Sequence, residues 1–463
     1  MSAYQSIFDL QKSFFLKELK PSPISLRVKK LRALKNWIKQ NEERICSEIK
    51  KDFNKGTEEV LLSEIKPILD EINHSINHIY EWTREEKVPT PIAFFGSKSK
   101  VIIEPKGVTL IIAPWNYPFN LCIGPLVSAI TAGNTSIIKP SENTPHTAEL
   151  IKNMIAELFQ EQEVTVTTGD NLVSQELLKL PFDHIFFTGS PQVGKIIMKA
   201  ASENLTSVTL ELGGRNPVIV DETANIKDAA QKIVWGKFLN SGQTCIAPNY
   251  IYVHESIKTK LEEELINQIE IQFSEKNTDT TRIVNKNHFD RINNLLESTL
   301  KTGAVLKHGG NKFENINYLS PTLLTNVSKN SPIFQDEIFG PVLPILSFNK
   351  LEETLQTINE IEKPLALYVF SKSRKNQNFI IQNSCAGTTA INETTIQFAQ
   401  PNLPFGGVNS SGLGKAHGKY GFLEFSNQRA ILKQRVGLTS IKLIMPPYSN
   451  FKKKVIRFIT FKM

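Results

Sequence analysis

The sequence predicts an α/β protein with two doubly wound parallel-sheet domains. Three observations lead to that fold class. Short apolar runs rich in β-branched and aromatic residues alternate with helical stretches, the pattern of parallel strands joined by right-handed crossovers. The alternation occurs twice along the chain. Its 463 residues suit two or three domains rather than one.

The elements follow in order. Residues 4 to about 85 read as largely helical: Ile24, Val28, Leu31, Leu34 and Ile38 recur at helical spacing, and Ile65, Ile68, Leu69, Ile72 and Ile76 do so again. Pro67 marks a helix start or a kink, and Pro89 with Pro91 ends the pattern. Strand-like runs come next: GVTLIIAPW (107–115), TSIIKPS (135–141), VTVTTG (164–169), HIFFTGS (184–190) and SVTLELGG (207–214). Helical segments such as 118–132 and 144–160 separate them. The second alternation has NPVIV (216–220), YIYVH (250–254), LPILSF (343–348), ALYVF (366–370) and TTAIN (388–392) as its strands. Ligands of such sheets bind at the carboxyl ends of strands, here 114–117, 139–142, 189–190 and 211–214.

Composition narrows the class. Apolar residues make up 40% and charged residues 22%, as in an ordinary globular protein with a sizeable core. The four cysteines, Cys46, Cys122, Cys245 and Cys385, form no CxxC pair, so zinc-ribbon and thioredoxin readings have no support and no metal site is expected. Scattered cysteines suggest a reducing compartment. The first twenty residues carry Asp9 and Glu18 and do not read as a signal peptide, and no apolar run is long enough to span a membrane, so a cytoplasmic location is expected. Of the net charge of +8, five charges (Lys452, Lys453, Lys454, Arg457 and Lys462) sit in the last twelve residues. The surplus therefore belongs to the tail, and nucleic acid is not expected as a partner. A tail packed on its own domain or on a partner subunit is preferred to peripheral contact with an anionic membrane surface.

Five segments carry candidate chemistry. In GQTC (242–245), Cys245 is a candidate nucleophile in a tight turn leading into a helix; a lone cysteine is more often a small buried hydrophobe. In LELGGRNP (210–217), Glu211 lies in an apolar strand, where burial raises a carboxyl pKa and suits a general base; a salt-bridged strand end is the bland alternative. In APWNYP (113–118), the Asn116 amide is a candidate oxyanion donor or a plain turn residue. GSPQVG (189–194) puts glycines at a strand-to-helix turn, where backbone amides approach phosphate, although it is not GxGxxG. KPSE (139–142) offers Lys139 and Glu142 for ribose hydroxyls, or is a surface turn.

With EIFGP and PFGG added, PWN, KPSE, FTGS, LELGG and GQTC occur in an order that resembles the aldehyde dehydrogenase superfamily over essentially the whole chain. APWNYPF, LELGGRNP, FGGVNSSGLGKAHGKYGF (405–422) and PPY (446–448) resemble its class 3 members, including fatty-aldehyde and coniferyl-aldehyde types, which are often dimers accepting NAD or NADP. The resemblance implies a Rossmann-like NAD(P)-binding domain (1–79 and 99–209), a catalytic domain (210–422), a bridging element used in dimerisation (80–98 and 423–445) and a basic-apolar tail (446–463).

It also implies roles. Cys245 would form a thiohemiacetal, Asn116 and the Cys245 N–H would hold the oxyanion, and Glu211 would activate water to hydrolyse the thioester to an acid. Lys139 and Glu142 would hold the adenosine ribose, and Gly189, Ser190 and Gly194 would face the pyrophosphate. Trp115 would bind the cofactor, Leu212 and Gly213 would lie beside the nicotinamide, and Glu337 and Phe339 would position its riboside. Asn392 falls near the site, whereas His417 reads as structural and His288 and His308 as surface residues. Glu142 favours NAD, with NADP possible, because a carboxylate repels a 2′-phosphate. A CoA-acylating relative would lack the acid of LELGG, and a non-catalytic scaffold would lack the nucleophile or the oxyanion donor. The expected substrate is a medium- or long-chain aliphatic or an aromatic aldehyde, with Phe119, Trp235, Phe238, Phe398 and Phe405 as tunnel or core aromatics.

Overall fold

The computed structural model describes residues 3–274, 280–437 and 439–462. Its first layer is helical: Ala3–Phe14, Ile24–Gln40, Glu42–Phe53 and Lys66–Trp82. Pro23, extended, starts the second of these, and the helix buries Val28, Leu31, Leu34 and Ile38 on one face, as the spacing predicts. Pro67 sits in the first turn of the last one and marks a start rather than a kink.

The helical layer covers a six-stranded sheet with the order Gly412–Leu413, Ser207–Leu212, His184–Gly189, Val108–Ile112, Thr135–Lys139, Val164–Val166. All pairs are parallel except the first. The chain starts at the central strand Val108–Ile112, steps outward twice, then returns to its other side. The strand order therefore reverses between Val108–Ile112 and His184–Gly189, and their following loops diverge. Helix Asn120–Ala132 packs on the sheet and ends at Gly133.

The second sheet has seven strands, ordered Val305–His308, Thr322–Thr325, Val342–Phe348, Tyr250–His254, Pro217–Val220, Ala366–Phe370, Thr388–Ile391. Its one antiparallel pair is Val305–His308 with Thr322–Thr325. A third sheet of Glu86–Val88, Ser97–Pro105 and Ser426–Gln434 is wholly antiparallel.

All ten expected strand segments are strands, but three boundaries shift. Residues 99–105 belong to the third sheet, not to the first domain. The division at 209/210 cuts the strand Ser207–Leu212. Gly412–Leu413, within the expected range 210–422, pairs with that same strand and so joins the first sheet. The tail forms the helix Asn450–Lys462, and Met463 lies outside the described residues. Val455 and Ile456 of this helix are half-buried, while Phe451, Phe458 and Phe461 are exposed. No helix among the described residues is long and apolar enough to cross a membrane.

Asn134 ties the layers together. Its side chain accepts the Gly107 N–H at 2.8 Å and donates to the Phe425 carbonyl at 2.8 Å, joining the start of the central strand to the approach to the third sheet. Asn134→Ala strands the buried Gly107 N–H, at about 1–3 kcal/mol, and leaves the Phe425 carbonyl with the longer Lys106 N–H bond of 3.3 Å. A thermal midpoint several degrees lower is expected, and an unchanged midpoint refutes this tie.

Candidate active site

A cleft opens where the first sheet reverses its strand order. Pro114, Trp115 and Asn116 line it after the central strand, Gly189 to Gln192 after the next, and Glu211, Gly213 and Gly214 after the third. The second domain closes it with Cys245, His288, Arg291, Glu337 and Phe339. A second, mostly apolar pocket approaches from the helical side, walled by Leu121, Gly124, Phe186, Phe398, Phe405 and His417. Thr188, Glu211 and Cys245 line both spaces, so the two meet at the thiol and the carboxyl.

The loop that holds Cys245 is fixed residue by residue. Helix Ile226–Phe238 ends in a turn in which Asn240, Ser241 and Gly242 all have positive φ, of 55°, 53° and 72°. A Cβ on Gly242 would meet the Gly340 carbonyl at 2.3 Å, so only glycine fits. Gln243 donates to the carbonyls of Asn240 and Arg282 and accepts the Val284 N–H. Thr244 bonds the Tyr117 hydroxyl at 2.7 Å. Asn216, six residues after the strand's Leu210, donates to the Cys245 carbonyl at 2.7 Å. No helix follows Cys245, contrary to the sequence expectation; the helix precedes it. Burial and then Glu337 and Glu211 push the thiol above its ordinary pKa, against the pull of the backbone N–H groups of Cys245 and Ile246. The sulfur thus rests as a thiol and needs a base or a cation to become a nucleophile.

Glu211 stands opposite Thr188 in the strand register and is buried. Neither of its carboxylate oxygens has a hydrogen-bond partner among the described residues. Burial, aided by Glu424 and opposed by Lys415, holds its carboxyl well above the usual carboxylate range. An unpaired buried carboxyl is costly to keep, and such groups cluster where proton transfer is needed.

Asn116 donates through Nδ2 to the Gln243 carbonyl at 3.0 Å. An amide has two such hydrogens, so one remains for a ligand. The Glu337 carboxyl lies over Gly213, where an added Cβ would meet Oε2 at 2.0 Å. Burial raises Glu337 to about 8 against the Gly214 N–H, Arg291 and Lys237, and its buried Oε1 has no hydrogen-bond partner among the described residues. Trp115 packs edge-on to Phe339 with ring centroids 5.3 Å apart. Helix Pro191–Ser202, capped by Ser190, starts at the cleft, with Lys195 also in the lining. The donor set suits a planar ligand carrying phosphate: amides at a helix N-terminus, a lysine, two aromatic rings and an orphan carboxylate oxygen.

Nine of the thirteen expected residues line this cleft: Cys245, Glu211, Asn116, Trp115, Gly189, Ser190, Gly213, Glu337 and Phe339. Four do not. Lys139 and Glu142 pair with each other at 2.5 Å one strand farther out. Gly194 and Leu212 face each other where the helix packs on the sheet, with a Cβ on Gly194 reaching Leu212 Cδ2 at 2.8 Å. Asn392 turns away to exchange hydrogen bonds with the backbone of Ser371. His288 is no plain surface residue; it packs on Trp115 with centroids 4.8 Å apart. His308 is half-buried and pairs with Glu270 at 3.4 Å. His417 lines the apolar pocket against Phe398, with centroids 4.4 Å apart. Of the five candidate tunnel aromatics, Phe398 and Phe405 line the pocket, while Phe119 and Phe238 are core. Sequence reasoning missed Thr188, Lys195 and Arg291, which gained their place only through the strand order and the domain closure.

With this geometry in view, the comparisons with known proteins carry weight. The sequence pattern of the Aldehyde dehydrogenase family matches residues 11–431. A 4,4'-diaponeurosporen-aldehyde dehydrogenase of Staphylococcus aureus is 43% identical, with 98% of each chain covered. The mouse dimeric NADP-preferring aldehyde dehydrogenase is 40% identical over 89% of this chain and 91% of its own. A solved substrate-bound structure of Staphylococcus aureus AldH superposes with a TM-score of 0.95 at 42% identity, covering 99% of this chain and all (100%) of the other. The chain belongs to the aldehyde dehydrogenase family.

Proposed function

We propose that the chain oxidises an apolar aldehyde to its carboxylic acid with NAD(P)+, through a covalent intermediate on Cys245. One observation carries the reading: Cys245 and Glu211 line both the apolar pocket and the cleft, so a thiol and a base face substrate on one side and an electron acceptor on the other. Cys245 gives its proton to solvent water and Sγ adds to the carbonyl carbon, while the free Asn116 Nδ2 hydrogen with the Cys245 N–H stabilises the oxyanion of the thiohemiacetal. Glu337, Phe339, Trp115 and the helix start at Ser190 hold the dinucleotide. Bound NAD(P)+ supplies the hydride acceptor and a positive charge that favours the thiolate. Hydride loss leaves a thioester on Cys245, and Glu211 removes the proton from the water that hydrolyses it. The presence of Glu211 favours the acid over acyl-CoA as product.

The apolar lining, which includes Phe186, Phe398 and Phe405 with Gly124, favours aromatic or long unbranched aldehydes. The third sheet and its neighbours expose Ile92, Phe95, Leu432 and Val436, which supports a homodimer. Neither nucleic acid nor a membrane is a favoured partner, and we place the enzyme in the cytoplasm.

A panel of aliphatic and aromatic aldehydes with NAD+, followed by NADH absorbance, tests the reading. Turnover is expected with apolar aldehydes, and Cys245→Ala is expected to lose at least ~10³-fold in kcat; full activity in that variant refutes the nucleophile. Glu211 must be deprotonated to act, and its pKa is raised. Its activity therefore falls as pH drops through that raised value, and kcat shows an acid limb well above pH 4.5, the ordinary glutamate value. Glu211→Gln should remove this limb and lower kcat ~10²–10⁴-fold while a burst of reduced cofactor survives; retention of the limb assigns it elsewhere. Glu142 is partly neutralised by Lys139, so NAD is preferred only modestly. The kcat/KM ratio of NAD to NADP is expected above unity and below ~10², and a ratio below unity overturns the preference.

A further inference from the structure

Behind the cleft lies a polar pair that the mechanism above does not use. Lys55 and Glu64 are fully buried, with both side chains 0% exposed and Nζ 2.7 Å from Oε1. Such a pair is a poor source of stability, because desolvation offsets the attraction. Its geometry points to another purpose.

The Lys55 ammonium has three hydrogens and three near acceptors, with the Phe53 ring farther off at 5.1 Å from its centroid. One is Glu64 Oε1, one is the Asn116 carbonyl at 3.2 Å, and one is the face of the Tyr117 ring, 4.1 Å from its centroid. Glu64 uses its other oxygen to accept the N–H groups of Phe119 at 3.1 Å and Asn120 at 2.9 Å. The pair thus grips the segment 116–120 at four points. From the opposite side, Asn240 Nδ2 donates to the same Asn116 carbonyl at 2.8 Å and to the Gln243 carbonyl at 3.1 Å. The segment that carries the oxyanion donor and the loop that carries Cys245 are therefore fastened around one carbonyl oxygen.

We propose that Lys55 and Glu64 are positioning residues that set the Asn116 amide relative to Cys245. They touch no substrate; they act through the Asn116 backbone. This rests on the reading of Asn116 as oxyanion donor. A shift of about 1 Å in such a donor is enough to cost orders of magnitude in rate.

A double-variant cycle tests the proposal on the full chain with cofactor. Lys55→Met is expected to lower kcat by ~10-fold or more with KM for aldehyde and cofactor little changed. In an Asn116→Ala background the same change should add less than ~2-fold, because its route of action is already gone. A full multiplicative loss in the double variant, or a raised KM at unchanged kcat, overturns the positioning role. If Lys55→Met alone fails to fold, Lys55→Met with Glu64→Leu removes both charges together and keeps the core packed. A folded enzyme of that kind with low kcat supports the proposal, and wild-type kcat overturns it. Undiminished kcat in Asn116→Ala alone overturns the oxyanion reading itself and this proposal with it, an outcome distinct from all the others.

Discussion

The structure depends on one topological constraint, the reversal of strand order beside Val108–Ile112. A parallel sheet wound in one direction only would bury the loop after its central strand under the next crossover. Reversal sends the loops after Val108–Ile112 and His184–Gly189 to opposite sides and leaves a gap between them. The two prolines of APWNYP then aim Asn116 into that gap, and Ser190 starts a helix beside it. The second domain need only place one loop over the opening, and the Gly242 turn does so.

Much of this was legible in the sequence, because parallel strands buried on both faces are short apolar runs that stand out from helices. The run of Ile111 and Ile112 ending at Pro114 is one such case, and LELGG is another. The third sheet was not legible as strands. Its strand Ser97–Pro105 reads SKSKVIIEP, half-exposed and charged, and it finds its partner Ser426–Gln434 more than three hundred residues away. Local pattern carries no information about such pairing. The site was legible where a residue type and its neighbours imply a task, as with Cys245, Glu211 and Asn116. Motif membership alone set Leu212 and Gly194 among the cofactor residues; what the local pattern did not reveal is that the two pack one against the other. Lys55 and Glu64 gave no signal, since a lysine and a glutamate nine residues apart in a helical stretch normally mark a solvated face.

The electrostatics of the centre follow from its dryness. Cys245, Glu211 and Glu337 are all pushed towards their neutral forms, chiefly by burial, and the Cys245 thiol is pushed further by Glu337 and Glu211. Lys237 is correspondingly lowered, to about 7. A site of this kind holds little charge at rest and responds strongly to any charge brought in, because the low dielectric magnifies each interaction. The cation–carboxylate pair of Lys55 and Glu64 is placed behind the reacting atoms, where its net charge is zero and its effect is geometric.

Gly213 follows the strand Ser207–Leu212 of the first sheet and Glu337 precedes the strand Val342–Phe348 of the second, yet they share one volume of space: any side chain at 213 would evict the carboxylate. Neither position is free to drift alone over evolutionary time. A lineage that replaced Gly213 would have to shorten or move residue 337 in the same step, and intermediates would carry the clash. This shared volume is thereby a mutational lock, which ties the history of one half of the cleft to the history of the other.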